Sequence, residues 1–147
     1  MEIKKILWPN DFTESSHKML PYVQSSAEQY DAKIYLQHTA EDLSNYGEFW
    51  GKPDERHVKG MHDFALRGAR KKLEEFCSDE LASCPAYDIQ VTLGDPADEI
   101  LKAIDEFDID LVVISLRGTD DSKGRLGSVA QKILGESKVP VFAINPK

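Results

Sequence analysis

The chain has 147 residues, 41% apolar and 30% charged, which is the balance of a soluble globular domain long enough to bury a core. Its net charge of −8 argues against a nucleic-acid binder that works by phosphate neutralisation and against docking on an anionic membrane surface. No apolar run approaches the roughly 20 residues of a transmembrane helix, and the opening MEIKKILWPNDF is too short and too soon interrupted for a signal peptide. Cys77 and Cys84 match neither CxxC nor zinc spacing and read as ordinary thiols of a reducing cytoplasm. Residues 1–147 read as a single domain.

Ile3 to Trp8 predicts a first strand, ended by Pro9, which cannot extend a ladder. Asp11 or Thr13 is positioned to cap a helix from about Ser15 to Tyr30, with Met19, Leu20, Val23 and Ala27 as its buried stripe. Pro21 falls inside that pattern and predicts an irregular helix start. Lys33 to His38 predicts the second strand. Thr39 to Pro53 reads as a loop whose aromatics Tyr46, Phe49 and Trp50 either pin it to the body or form a lid or partner contact. A long helix follows from Asp54 to Ser78, with Met61, Phe64, Ala65, Ala69, Leu73 and Phe76 facing the core. His57 and His62 are five apart, off the shared face of an i, i+4 pair, and read as surface histidines.

Tyr87 to Leu93 partly alternates and predicts a third strand. Gly94-Asp95-Pro96 turns the chain, with Asp95 as N-cap and Pro96 at the first helical position. The helix Pro96 to Phe107 would bury Ala97, Ile100, Leu101 and Ile104. Next comes DLVVISLRGTDDSKGRLGS. Leu111 to Ile114 is a short apolar run suited to a strand buried on both faces, and a glycine-bearing loop leads to a helix opening at Gly127-Ser128. In that helix Val129, Ile133 and Leu134 would face the sheet. Val141 to Ile144 is the last strand.

The β-α-β alternation calls for a doubly wound parallel α/β sheet with helices on both faces. Ligands of such sheets bind where the strand order reverses, beside the carboxyl ends of strands. A strand, a glycine loop and a helix N-terminus form a phosphate-binding corner: glycine lets the backbone come close, and unpaired N–H groups face the anion. No GxxxxGK[ST], no SGGxDS-like loop, no HxGH and no Ser–His–Asp or Cys–His arrangement is legible.

Four pieces, in order along the whole chain, resemble the universal stress protein family: KKILWPNDFTESS, IYLQHTAED, VTLGDPADEIL, and DLVVIS with GRLGSVAQKILGESKVPVFAI. The resemblance implies a five-stranded parallel sheet in the order 3-2-1-4-5, Rossmann-like and similar to the adenine nucleotide alpha hydrolases. It implies a non-enzymatic stress-response module that binds ATP or AMP, with magnesium as a possible companion of ATP. Slow ATP hydrolysis would be incidental. Nucleotide-binding members carry Gly, two residues, Gly, nine residues, Gly, then Ser or Thr. Here Ser115 takes the first glycine slot, and only eight residues, Thr119 to Leu126, separate Gly118 from Gly127. Gly124 can absorb part of that shortening, and Arg117, Lys123 and Arg125 can offset phosphate charge. By resemblance, Pro9, Asp11 and the backbone near His38 form the adenine and ribose end. Gly118, Gly127, Ser128 and the N–H of Val129 take phosphates. Asp11 and Ser128 have a second reading as helix caps, and His38 as a strand-end histidine with an ordinary hydrogen bond. The altered loop also admits a nucleotide-free dimeric interaction module. In either case a homodimer through Val141 to Ile144 is expected, because that strand would be an apolar sheet edge.

Overall fold

A computed structural model describes residues 1–44, 54–80, 86–116 and 126–145. Five strands form one parallel sheet: β1 (Lys5–Pro9), β2 (Lys33–Ala40), β3 (Tyr87–Leu93), β4 (Leu111–Ser115) and β5 (Val141–Ile144). Their order is β3-β2-β1-β4-β5, so the sheet reverses its direction of growth between β1 and β4. This is the doubly wound arrangement expected from the alternation of elements. Helices α1 (Glu14–His17), α2 (Leu20–Tyr30), α3 (Glu55–Glu80), α4 (Pro96–Glu106) and α5 (Ser128–Glu136) connect the strands.

Strand alternation divides the core. Ile6, Trp8, Ile34, Leu36, Leu111 and Val113 pack under α2 and α3, together with Val23, Leu73 and Cys77. Leu7, Tyr35, Val112 and Ile114 pack on the other face, against Ile100 and Ile104 of α4 and Ile133 of α5. Leu111 to Ile114 are all buried, as a central strand covered on both faces requires. Asp110, just before β4, accepts the N–H groups of Lys4 and Lys5 at 2.9 and 3.0 Å and so ties the start of β1 to β4.

Several local expectations are corrected. The helix predicted from Ser15 to Tyr30 is two helices, because the turn at Lys18–Met19 separates α1 from α2. Pro21 lies in the first turn of α2, where its missing N–H costs nothing. The cap expected from Asp11 or Thr13 is present, and it is Thr13 that caps α1. β2 runs on through Thr39 and Ala40, pairing with Thr92 and Leu93, so the predicted loop begins two residues too early. Tyr46, Phe49 and Trp50 lie outside the described residues.

The core-facing stripe of α3 is rotated from the predicted one. Phe64 is 75% exposed and Met61 44%, whereas Val58, His62, Ala69, Leu73 and Cys77 are buried. His62 is therefore not a surface residue. Its Nε2 accepts the Leu43 N–H at 2.8 Å, which satisfies a backbone donor just past β2. Asp42, 3.6 Å from that same nitrogen, has its carboxyl held below the usual carboxylate range, chiefly by hydrogen bonds from Ser44. In α5 the buried residues are Ala130 and Ile133, while Leu134 faces solvent. In α4 Ala103 is buried and Leu101 only partly so.

Candidate functional site

The reversal between β1 and β4 opens a cavity of about 260 Å³ at the carboxyl ends of the strands. Its floor is Pro9, Gln37 and Ile114, one residue from each of three adjacent strands, and Pro9 and Gln37 are register partners. Ile100 and the start of α5 close one side.

One end of the cavity is the N-terminus of α5. Gly127 is the N-cap, and its carbonyl accepts the first intrahelical bond, from Gln131 N–H at 3.0 Å. No side chain caps the helix. Ser128, expected as a possible N-cap, is instead the first helical residue. The N–H groups of Ser128, Val129 and Ala130 therefore have no carbonyl partner of their own helix, and the positive end of the helix dipole faces the cavity. Gly127 N–H donates to Leu116 C=O at 2.9 Å, and Leu116 N–H donates to Ile144 C=O at 2.8 Å. These two bonds fix α5 against the ends of β4 and β5. Gly118, Arg117, Lys123, Gly124 and Arg125, which the sequence places in the connecting loop, lie outside the described residues.

The other end is the exit of β1, held by a network of short-range bonds. Asp11 Oδ1 accepts the Thr13 N–H at 3.0 Å, the Thr13 hydroxyl at 2.5 Å and the Ser16 hydroxyl at 2.6 Å. All three fall on one carboxylate oxygen. Asn10 Oδ1 accepts the Phe12 N–H at 2.7 Å, which supports Phe12 in a left-handed conformation at φ 65°. Such a conformation in a bulky residue is a strain sustained by its surroundings. His38 Nδ1–H donates to the Asn10 carbonyl at 2.8 Å, and the His38 ring packs on Phe12 with centroids 4.2 Å apart. The imidazole thus has its Nδ1 committed to backbone while it buttresses the turn.

The structure brings seven of the predicted site residues to this one cavity: Pro9, Asp11, His38, Ser115, Gly127, Ser128 and Val129. Sequence reasoning passed over Asn10, Gln37, Thr39 and Ile100, which also line it. A signal for Gln37 was available, since it interrupts the apolar run Ile34–Tyr35–Leu36 at a position the strand pattern buries. Lys132 of α5 pairs with Asp98 in the first turn of α4, and that carboxylate raises the Lys132 pKa. Among the described residues no group of three or more His, Cys, Asp or Glu side chains is arranged to hold a metal ion. None of the described helices is long and apolar enough to cross a membrane.

A parallel α/β sheet of order 3-2-1-4-5, with a ligand-sized crevice at its reversal and a helix N-terminus at one end, defines a doubly wound domain of Rossmann-like class. The universal stress protein family model matches residues 2–145, and the chain belongs to that family. Universal stress protein A homolog 2 of Coxiella burnetii is 30% identical over 80% of this chain and 77% of its own length. A universal stress protein of Methanocaldococcus jannaschii is 25% identical, covering 98% of this chain and 96% of its own. Among solved structures, UspA of Lactobacillus plantarum superposes with a TM-score of 0.82 at 16% identity over 99% of both chains. A universal stress protein in complex with cAMP gives 0.66 at 20% identity over 100% of both. One from Archaeoglobus fulgidus in complex with dAMP gives 0.65 at 16% identity, over 97% of this chain and 98% of that one. At these identities the structural likenesses establish the fold.

Proposed function

We propose that this universal stress protein binds an adenine nucleotide, ATP or AMP, in the crevice between β1 and β4, and works as a cytoplasmic, non-enzymatic module. The observation that carries the reading is the uncapped N-terminus of α5 opening into a cavity whose far end is the polar exit of β1. Backbone N–H groups of Ser128 to Ala130, with Gly127 and Gly118, would receive the phosphates. Pro9, Asp11 and the backbone around His38 would take the sugar and base, and Ser115 would border the phosphate loop. Magnesium, if it accompanies ATP, would be held by the phosphates. Relatives of the same fold are bound to cAMP and dAMP, which favours a purine nucleotide here too.

The deciding experiment is to denature freshly purified protein and identify released nucleotide by chromatography and mass. Near-stoichiometric ATP or AMP is expected. No nucleotide, followed by no binding heat on titration with ATP and magnesium, would overturn the reading in favour of a nucleotide-free interaction module. ATP turnover on the order of 1 per second or faster would overturn the non-enzymatic part.

The homodimer belongs to the same proposal. Among the described strands β5 pairs only with β4 and is the sheet edge, and its Phe142 is 39% exposed. An open apolar edge favours pairing with its own copy about a two-fold axis. Sedimentation at micromolar concentration should give a dimer, and Phe142→Lys should give a monomer. A monomeric parent protein would refute the pairing.

A further inference from the structure

The cavity floor holds two side-chain amides left unsatisfied among the described residues. Gln37 is 1% exposed and Asn10 3%, and among the described residues neither Gln37 Oε1 nor Nε2 nor Asn10 Nδ2 has a hydrogen-bond partner. Buried amide atoms without partners are uncommon in native proteins, because they lose water and gain nothing. The backbone around Gln37 offers no remedy, since β2 is laddered to β1 on one side and β3 on the other. Both residues line the cavity. They therefore await a polar group that enters it.

Their chemistry is specific. Asn10 Oδ1 is committed to the Phe12 N–H, which fixes the amide orientation and presents Nδ2 as a donor. Gln37 presents one donor and one acceptor. The set is two donor groups and one acceptor. The 6-amino edge of adenine is its complement: the amino group donates, and N1 and N7 on either side accept. The Watson–Crick edge of guanine carries the reverse, two donors and one acceptor. Apolar Ile100 and Ile114 beside Gln37 suit a base rather than a phosphate.

We infer that Gln37 and Asn10 are specificity-determining residues that read the polar edge of the bound base and select adenine over guanine. This rests on the nucleotide-binding reading above. Pro9, on the neighbouring strand, sets the floor height, and the His38 bond to the Asn10 carbonyl holds the donor in place.

The test is calorimetric titration of full-length wild type, cleared of nucleotide, with ATP, GTP and the triphosphate of purine riboside, which lacks the 6-amino group. ATP should bind roughly tenfold or more tightly than either of the others, as one well-formed bidentate pair would give. Gln37→Met keeps the length and removes the amide. It should lower ATP affinity by a similar factor and collapse the ATP-to-GTP ratio, while the nucleotide-free protein melts no lower than wild type, because an unsatisfied buried group is gone. Gln37 is the residue to change, since Asn10 also supports the Phe12 turn. Equal binding of the three nucleotides by wild type would overturn the inference while leaving the nucleotide site standing. So would a Gln37→Met protein with unaltered affinity and ratio, whose parent amide then holds only water. A wild type that binds none of the three overturns this inference and the nucleotide reading together.

Discussion

Ser128→Asp is expected to weaken nucleotide binding about 100-fold while leaving the fold at least as stable. Ser128 is exposed and is the first residue of α5 after the Gly127 cap. A carboxylate in the first turn interacts favourably with the helix dipole, by about 0.3–1 kcal/mol. The N–H groups it faces are those that would receive phosphate, and α5 has no acidic residue in its first turn. A fixed negative charge there fills the anion site and repels a triphosphate. An affinity loss of about 100-fold, roughly 2.7 kcal/mol, is the expected scale for a like charge at close range. Calorimetric titration with ATP alongside a thermal melt reads both effects. Ser128→Ala, which removes only a hydroxyl, should change affinity a few-fold at most, since the backbone donors remain. The opposed signs separate a damaged site from a damaged fold. If Ser128→Asp binds ATP like wild type, the phosphates lie elsewhere.

Much of this arrangement was legible in the residues, and the failures have identifiable causes. The apolar run Leu111–Ile114 and the turn Gly94-Asp95-Pro96 have unambiguous local physics. A double-sided strand needs continuous apolar residues. Asp95 caps α4 by accepting the Asp98 N–H at 3.0 Å, and Gly94 sits at φ 142°, a conformation rarely open to other residues. The α3 stripe held at Ala69 and Leu73 but failed in the first half of the helix, where Phe64 and Met61 are apolar and helically spaced yet face solvent, while the polar His62 turns inward to bond Leu43. Periodicity weighs hydrophobicity and is blind to a long-range backbone donor. Asp11 shows the complementary limit. Its capping and ligand readings looked like rivals, but its Oδ1 joins Thr13 and Ser16 while the residue lines the cavity. A carboxylate has two oxygens, so one residue can support the turn and border the site. Gln37 was passed over because a polar residue at the end of an apolar run reads as the strand's exit, although the run before it marks the position as interior, which the sheet order confirms.

Trp8→Ala is expected to cost about 3–5 kcal/mol, a large part of the roughly 5–15 kcal/mol that holds an ordinary domain folded. Trp8 has no solvent exposure and sits in the middle of the sheet at the end of β1. Its ring meets Phe76 edge-on with centroids 5.7 Å apart, and Phe76 stacks on His17 of α1 at 5.0 Å. Truncation leaves a cavity under that stack. The same α1 carries Ser16, whose hydroxyl binds Asp11, so the loss should loosen the exit of β1 and weaken nucleotide binding as well as stability. Trp8→Phe separates the contributions. It keeps an aromatic edge toward Phe76 and removes the indole N–H, which is buried without a partner among the described residues. Relief of that unsatisfied donor offsets part of the lost volume, so the cost should be about 1 kcal/mol. Urea unfolding with an unchanged slope, read beside ATP affinity, measures both variants. Equal costs for Trp8→Phe and Trp8→Ala would show that the phenyl ring cannot hold the stack from β1 to α1. In that case the indole itself, rather than aromatic packing in general, would be what braces the exit of β1.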